Sequence, residues 1–519
     1  MLHIPAFGEI NYNFEHENDS TTVTLIRNAA AKCFQQYCAL LKQEGFFERE
    51  SHQTENRSFA AFQKDNTGVY INAYYLTDEL QIVVEEDSAY FRYSDVPGNE
   101  ITTALLTQVK LTDYGLSYVI RLTDGRFIVI DGGNRVEKEA DALFDCLCEQ
   151  SPVEIPVIAA WIMTHPHSDH FYCFFPFMER HGSKVKIEKF LFNFPDADDF
   201  DHYPNLAAEC SRFPNCKNAD VVKLFLEAVE GISVPVYKTH TGQRYQVGNV
   251  LLEFLASIDD SIHCSPNINA TSLMFTARIA GQTVFWGGDG SFSDTRLPER
   301  YGSELKSDIL QIPHHGFGCG TDQGQIAGYQ FIAPRVCLLP ASHSEAYTSF
   351  TTYREGTNYL MTRMGVEEMI TGKCQRTLEL PYEPQPGGAT ELRQQYLEGR
   401  DNCGSRTWVF TGLNSACKED YIFSSLNTTY LNANVSVELF FENMQRKIIR
   451  VQKVGPRLGL FRIHCASNSD EEIELFDPTT FTESNGIPLG TTFAVRFISN
   501  IPIVISHTTH SPAYHSTIV

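Results

Sequence analysis

Seven consecutive residues constrain this chain more than any other stretch. Thr164-His165-Pro166-His167-Ser168-Asp169-His170 follows the apolar run Val157 to Met163 and sets three imidazoles and one carboxylate within six positions. Alternate residues leaving the end of a buried strand can converge on one ion, and imidazole nitrogen with carboxylate oxygen is a donor set that zinc and similar divalent metals accept. His165 and His167 are expected to hold one metal. Asp169 and His170, expected at the start of the following helix, point at a second.

The strand before this motif is one step of an alternation. From about residue 105 to 382, apolar strand-like runs alternate with helical periodicity, and each strand ends near a polar cluster. Phe127 to Ile130 ends at Asp131-Gly132-Gly133 and is followed by an amphipathic helix over Val136 to Gln150. Further strands are expected at Lys189 to Phe194, Val250 to Leu255, Leu273 to Ile279, Thr283 to Gly287, Asp308 to Ile312 and Val336 to Leu339. Upstream, a helix over Thr24 to Leu41 with strands at Gly68 to Leu76 and Leu80 to Glu85 reads as a small α+β domain. Beyond about residue 400, Val435 to Phe441, Lys447 to Val454, Leu458 to His464 and Thr492 to Ile505 read as antiparallel strands of a β-sandwich-like domain. A chain of 519 residues has room for three such units, divided as 1–104, 105–395 and 396–519.

With its neighbours, the histidine motif resembles the metallo-β-lactamase superfamily from Tyr118 to Leu380, and is most similar to the hydrolase branch of the DNA-uptake competence protein ComEC. The resemblance implies an α/β four-layer αβ/βα sandwich, flanked here by the N-terminal α+β and C-terminal all-β domains. It rests on Val129-Ile130-Asp131-Gly132-Gly133, where Asp131 would orient the metal loop by accepting a hydrogen bond. It rests also on Phe285-Trp286-Gly287-Gly288-Asp289-Gly290, whose Asp289 would bridge both ions. A shared anion offsets the repulsion of two dications about 3.5 to 4 Å apart. Gln311-Ile312-Pro313-His314-His315-Gly316 looks like the Pro-His-His-Gly of the ComEC-like branch, with His315 completing the second metal's ligands and His314 beside it facing substrate; the exchanged assignment stays open.

The sequence departs from the family in places. Where another histidine usually completes the first metal site, the segment reads His263-Cys264-Ser265-Pro266-Asn267-Ile268-Asn269-Ala270-Thr271-Ser272-Leu273, leaving His263, Asn267 and Asn269 as candidates. Phe171-Tyr172-Cys173 replaces a frequent Gly-Gly and suggests an apolar wall beside the metals. His343 falls where the family places an active-site loop, as a substrate contact or an exposed loop histidine, and Asp196 to His202 reads as a solvated acidic loop bordering the cleft rather than a further metal site.

Composition limits the substrate. With 41 Lys+Arg against 64 Asp+Glu the net charge is −23, which disfavours long nucleic acids. The opening residues carry no basic, apolar secretory pattern, no run is long and apolar enough to span a bilayer, and the 14 cysteines are irregularly spaced, so a cytoplasmic protein with reduced thiols and no membrane partner is expected. The expectation is a metal-dependent hydrolase using a metal-bound hydroxide, with two Zn2+ per chain and Mn2+ or Fe as alternatives. Asp169 would orient the nucleophile and shuttle its proton, and His314 would face the substrate, a small or short phosphoester. A lactone or carboxylic ester, or a degenerate domain serving as a binding or assembly module, are the alternatives, with homo-oligomerisation left open.

Overall fold

A computed structural model describes residues 9–16, 21–28, 30–86, 99–207, 213, 216–261, 267–316, 323–341, 366–372 and 374–384, and beyond 404 the strand segments 405–410, 421–427, 433–441, 446–454, 458–463, 465–466, 472–476, 482–484, 487–488, 493–499 and 503–508. It separates into two units, residues 1–343 with 363–386, and residues 344–362 with 387–519.

The first unit is built around two sheets whose strands are too apolar to lie at a surface. Phe127–Asp131 is buried at all five positions, as expected for a parallel strand covered on both faces. It runs parallel to Val157–Ile162, which runs parallel to Phe190–Leu191, and that to Val236–Tyr237. On its other side Ser117–Arg121, Ala104–Gln108 and Arg376–Leu380 add antiparallel strands. The second sheet begins with antiparallel Arg244–Val247, Val250–Ala256, Met274–Ile279 and Gln282–Trp286. It continues in parallel from Gln282–Trp286 through Ile309–Gln311 and Val336–Leu339 to Glu368–Thr371.

One apolar cluster joins the facing sides of the two sheets, with Ile120, Ile130 and Ile162 of the first meeting Leu252, Phe275 and Trp286 of the second. The outer face of the first sheet, including Val129 and Trp161, is covered by helices Glu137–Gln150, Phe174–His181 and Asn218–Ile232 through Leu143, Phe177 and Phe225. This arrangement sets the carboxyl ends of Phe127–Asp131, Val157–Ile162, Gln282–Trp286 and Ile309–Gln311 around one region, the place where α/β sheets present ligand-binding loops.

The N-terminal part is a six-stranded sheet, with helix Ala30–Gln43 packed through Phe34, Tyr37 and Leu41 onto one face. Polar groups tie this sheet to the second sheet. Arg57 reaches Glu253 at 2.6 Å and Glu304 at 2.7 Å, Arg244 reaches Glu253 at 2.9 Å and also contacts Glu50, and the Tyr70 hydroxyl donates to the Arg244 carbonyl at 3.1 Å.

In the second unit, Ser405–Phe410, Phe493–Ser499, Ala433–Phe441 and Arg446–Val454 form a four-stranded antiparallel sheet. Thr482–Ser484, Glu472–Phe476, Leu458–Ile463, Tyr421–Asn427 and Ile503–Thr508 form a five-stranded one.

Four expectations are corrected. The helix read over Thr24 to Leu41 is a strand, Thr21–Arg27, followed by helix Ala30–Gln43; the β-branched Thr-Thr-Val-Thr run is held between Glu9–His16 and Glu79–Glu85, and this pairing overrides local periodicity. Thr492 to Ile505 is two strands, Phe493–Ser499 and Ile503–Thr508, separated in sequence by Pro502, which lacks the amide a continuous ladder needs. Asp196 to His202 is not a loop: Asp196 caps helix Ala197–His202, accepting from the Asp199 amide at 3.0 Å while the Asp199 carboxylate accepts from the Asp196 amide at 2.9 Å. Asp169 and His170 lie in a turn, and the helix begins four residues later, at Phe174.

Candidate metal centre

Six side chains from three strand ends converge. His165, His167, Asp169 and His170 follow Val157–Ile162, Asp289 follows Gln282–Trp286, and His315 follows Ile309–Gln311. Their donor atoms form two groups, Asp169, His170, Asp289 and His315 in one and His165, His167 and Asp289 in the other, each with all atoms within 4.8 Å of one another. Asp289 belongs to both. In the first group, His315 Nε2 lies 3.0 Å from Asp169 Oδ2 and 3.3 Å from Asp289 Oδ2, while His170 Nε2 lies 3.2 Å from Asp289 Oδ1. In the second, His165 Nε2 lies 3.8 Å from Asp289 Oδ2, and the His165 and His167 rings are 4.9 Å apart.

The hydrogen bonds on the far side of each imidazole fix which nitrogen faces inward. His170 Nδ1 donates to Asp131 Oδ2 at 2.7 Å, and His315 Nδ1 donates to the Pro340 carbonyl at 2.8 Å. Thr164 Oγ1 donates to Asp131 Oδ2 at 2.7 Å, so its lone pair accepts from His165 Nδ1 at 3.1 Å. With Nδ1 carrying the hydrogen in all three, each neutral ring presents an Nε2 lone pair towards carboxylate oxygens. Lone pair against lone pair is repulsive unless a metal ion or a proton stands between them. His165 Nε2, His170 Nε2 and Asp289 Oδ1 are buried with no hydrogen-bond partner, a state that buried polar atoms seldom tolerate. The donor set therefore fits divalent metal, and the chemistry of the orphaned atoms agrees with it.

Protons compete with metal for these inward-facing atoms. Burial and the neighbouring His170 hold the His165 imidazole well below its ordinary pKa. For His315, burial is outweighed by Asp289 and Asp169, and the pKa rises to about 9; His170 is raised too, with Asp289 and Asp131 overcoming its burial. Burial opposes the ionised form of Asp169, but His315 and His170 outweigh it and hold the carboxylate low. His170 and His315, in direct contact with the carboxylates, gain a positive charge that bound metal would replace.

Asp131, buried at the end of its strand, accepts at Oδ1 from the Thr164 amide at 2.7 Å and has φ 53°. His314 and His315 also lie in the left-handed region, at φ 50° and 53°. Non-glycine residues seldom adopt it, and such backbone tends to cluster where a site dictates the geometry.

His314 stands apart from both groups. Half-buried, it accepts at Nε2 from Asn269 Nδ2 at 3.2 Å, and burial keeps its pKa low. Of the candidates for a third ligand to the first metal, Asn267 Oδ1 is engaged by the Ala270 amide at 2.9 Å, and Asn269 Oδ1 is buried with no hydrogen-bond partner. His263 and His343 lie outside the described residues. Phe171, Tyr172 and Cys173 are buried in the outer core behind the motif, where Phe171 packs 5.2 Å from Phe194 and 5.3 Å from Phe225. Thr164, Gln311 and Ser272, which hold the ligands in place, receive no role from the sequence because hydroxyl and amide side chains carry no ligand signature.

Sheets and site together define a class, an α/β protein with a buried histidine and aspartate cluster that could hold divalent metal. Residues 112–257 match the family model described as the metallo-beta-lactamase superfamily, and this span contains the His165–His170 motif. Over these residues the chain is similar to members of that superfamily. Comparison with curated proteins finds no match. Among solved structures, the chain is similar to the metallo-beta-lactamase fold protein YhfI from Bacillus subtilis, at 15% identity and TM-score 0.32 over 53% of this chain and 99% of that one. Igni18, a metallo hydrolase from Ignicoccus hospitalis, shows 13% identity and TM-score 0.31 over 54% of this chain and 100% of its own. CmlA, a diiron beta-hydroxylase from Streptomyces venezuelae, shows 12% identity and TM-score 0.33 over 55% of each chain. No described helix is long and apolar enough to cross a membrane.

Proposed function

We propose that this protein is a binuclear metal-dependent hydrolase acting on a small phosphodiester or other short phosphoester. The reading includes a four-layer αβ/βα catalytic domain over residues 105–395, between an N-terminal α+β domain and a C-terminal β-sandwich-like domain. Its main support is the set of buried, inward-facing atoms His165 Nε2, His170 Nε2 and Asp289 Oδ1 without hydrogen-bond partners. His165 and His167 would hold one ion and Asp169, His170 and His315 the other, with Asp289 common to both. Zinc suits the donors best, with manganese or iron accepted by the same set. Two bound dications would supply a nucleophilic water at neutral pH and offset charge developing on the phosphoryl oxygens.

The chain's own residues do the rest. Asp169, kept ionised beside His315, orients the attacking water and takes up its proton. His314 accepts from Asn269 at Nε2, so its Nδ1–H is the donor available to substrate. The net charge of −23 favours a substrate too short to feel the whole surface.

The test is metal content by elemental analysis together with hydrolysis of bis(p-nitrophenyl) phosphate, for the wild type and Asp289→Ala. About two metals per chain, with turnover abolished in the variant, is the expected result. Two metals without turnover would redirect the search to lactones and carboxylic esters, and a metal-free protein would leave a binding module in its place.

A further inference from the structure

Gln311 occupies the last ladder position of its strand, fully buried, paired in parallel register with Trp286 on one side and Leu338 on the other. Its amide does not serve either ladder. Oε1 accepts from the Gly287 and Gly288 amides, both at 2.8 Å, and Nε2 donates to the Gly288 carbonyl at 3.2 Å and the Ile312 carbonyl at 2.7 Å. A primary amide offers two acceptor and two donor positions, and here all four are used.

These partners belong to the two loops that carry Asp289 and His315. The next amide in the turn, that of Asp289, donates to Ser272 Oγ at 3.1 Å, so three successive N–H groups of Gly287-Gly288-Asp289 are captured by side chains. From the other loop, the His314 amide donates to the Gly288 carbonyl at 3.1 Å. Gly288 has φ +52°, and a Cβ on Gly287 would come within 2.5 Å of Pro313 Cγ. The close approach of the two loops thus requires glycine at 287, and the turn itself requires a positive φ at 288.

That proximity has an ordering cost. Asp169 and Asp289 both lie within 3.3 Å of His315 Nε2, so carboxylates from two separate loops must be held at one imidazole. A turn free to relax would swing Asp289 away, and ion binding would have to restore it. A turn clamped on three amides meets that cost in folding and leaves the donors preorganised.

We propose that Gln311 is a positioning residue for the metal centre, clamping the Gly287–Asp289 turn to the Pro313–His315 turn so that Asp289 can serve both ions. The inference rests on the proposed metal-dependent reading of the same site. Gln311→Glu keeps acceptors for the two glycine amides but sets a carboxylate against the Gly288 and Ile312 carbonyls. Gln311→Ala leaves those amides without an acceptor.

The experiment is zinc titration of the full chain against a chromophoric chelator, with the absorption spectrum of the cobalt-loaded protein as a second readout and circular dichroism as the check on folding. Both variants are expected to bind the metals about 10- to 100-fold more weakly, with an altered cobalt spectrum and kcat reduced more than KM. Should they fail to fold, Ser272→Ala acts on the same turn and is expected to shift zinc affinity in the same direction. Wild-type zinc affinity and cobalt spectrum in the folded variants, whatever their thermal stability, would overturn the inference while the metal-dependent reading stood. A wild type that takes up no metal would overturn both.

Discussion

His170 shows how one side chain can decide what a site accepts. Its Nδ1 is committed to Asp131 Oδ2 at 2.7 Å, and this leaves Nε2 as a lone-pair donor beside Asp289. Asp131→Asn would set an amide N–H against either His170 Nδ1 or the Thr164 amide, both of which need an acceptor. The ring would then favour the opposite tautomer. The expected outcome is metal binding weakened about 10- to 100-fold with the fold retained, measured by chelator competition and circular dichroism; unchanged affinity would mean that Asp131 only braces the loop. At this scale the sequence was informative about the six converging side chains, because histidine and aspartate at strand ends have few other uses. It was silent about Thr164, Gln311 and Ser272, whose hydrogen bonds depend on which loops the fold brings together.

Between elements, the N-terminal sheet meets the second sheet through charge. Arg57 and Arg244, both fully buried, share Glu253, and Arg57 also contacts Glu304. Burial would raise the pKa of Glu253, but Arg244 and Arg57 outweigh it and hold the carboxyl well below the ordinary range; Glu304 is lowered against its burial by His52 and Arg57. A carboxylate whose folded pKa is depressed contributes stability above its unfolded pKa of about 4.3 and loses it as pH falls towards the folded value. Acid denaturation is therefore expected to steepen below about pH 4.3. Glu253→Gln should blunt that dependence and, by leaving two buried guanidiniums short of charge, cost about 3 to 5 kcal/mol at pH 7. Urea denaturation at pH 7 and at acid pH measures both, and equal stability of variant and wild type would count against a structural role for the cluster. None of this could be read from the chain, since Arg57 and Glu253 stand 196 residues apart. Strands such as Phe127–Asp131 were legible because burial on both faces demands a continuous apolar run. Thr21–Arg27 was not, because its state is set by the two strands it pairs with.

For the whole chain, the net charge of −23 favours binding of cations over anions. Asp169 and Asp289 lie at the junction of the two sheets, next to the core that joins them, so metal there would bind only the folded arrangement of donors. A ligand that binds only the folded state stabilises it in proportion to the logarithm of its concentration over Kd, about 2.7 kcal/mol at a hundredfold excess. In a unit of this size such an increment moves the melting temperature by several degrees. Exhaustive chelation is therefore expected to lower the melting temperature of the wild type, and a small excess of zinc to restore it. Asp289→Ala should melt with little response to either treatment, because it lacks the donor common to both groups. Scanning calorimetry of the two proteins, each chelated and zinc-loaded, makes the comparison. A wild type that melts identically in both states would show that its fold owes nothing to metal, and the inward-facing histidines would then need another partner.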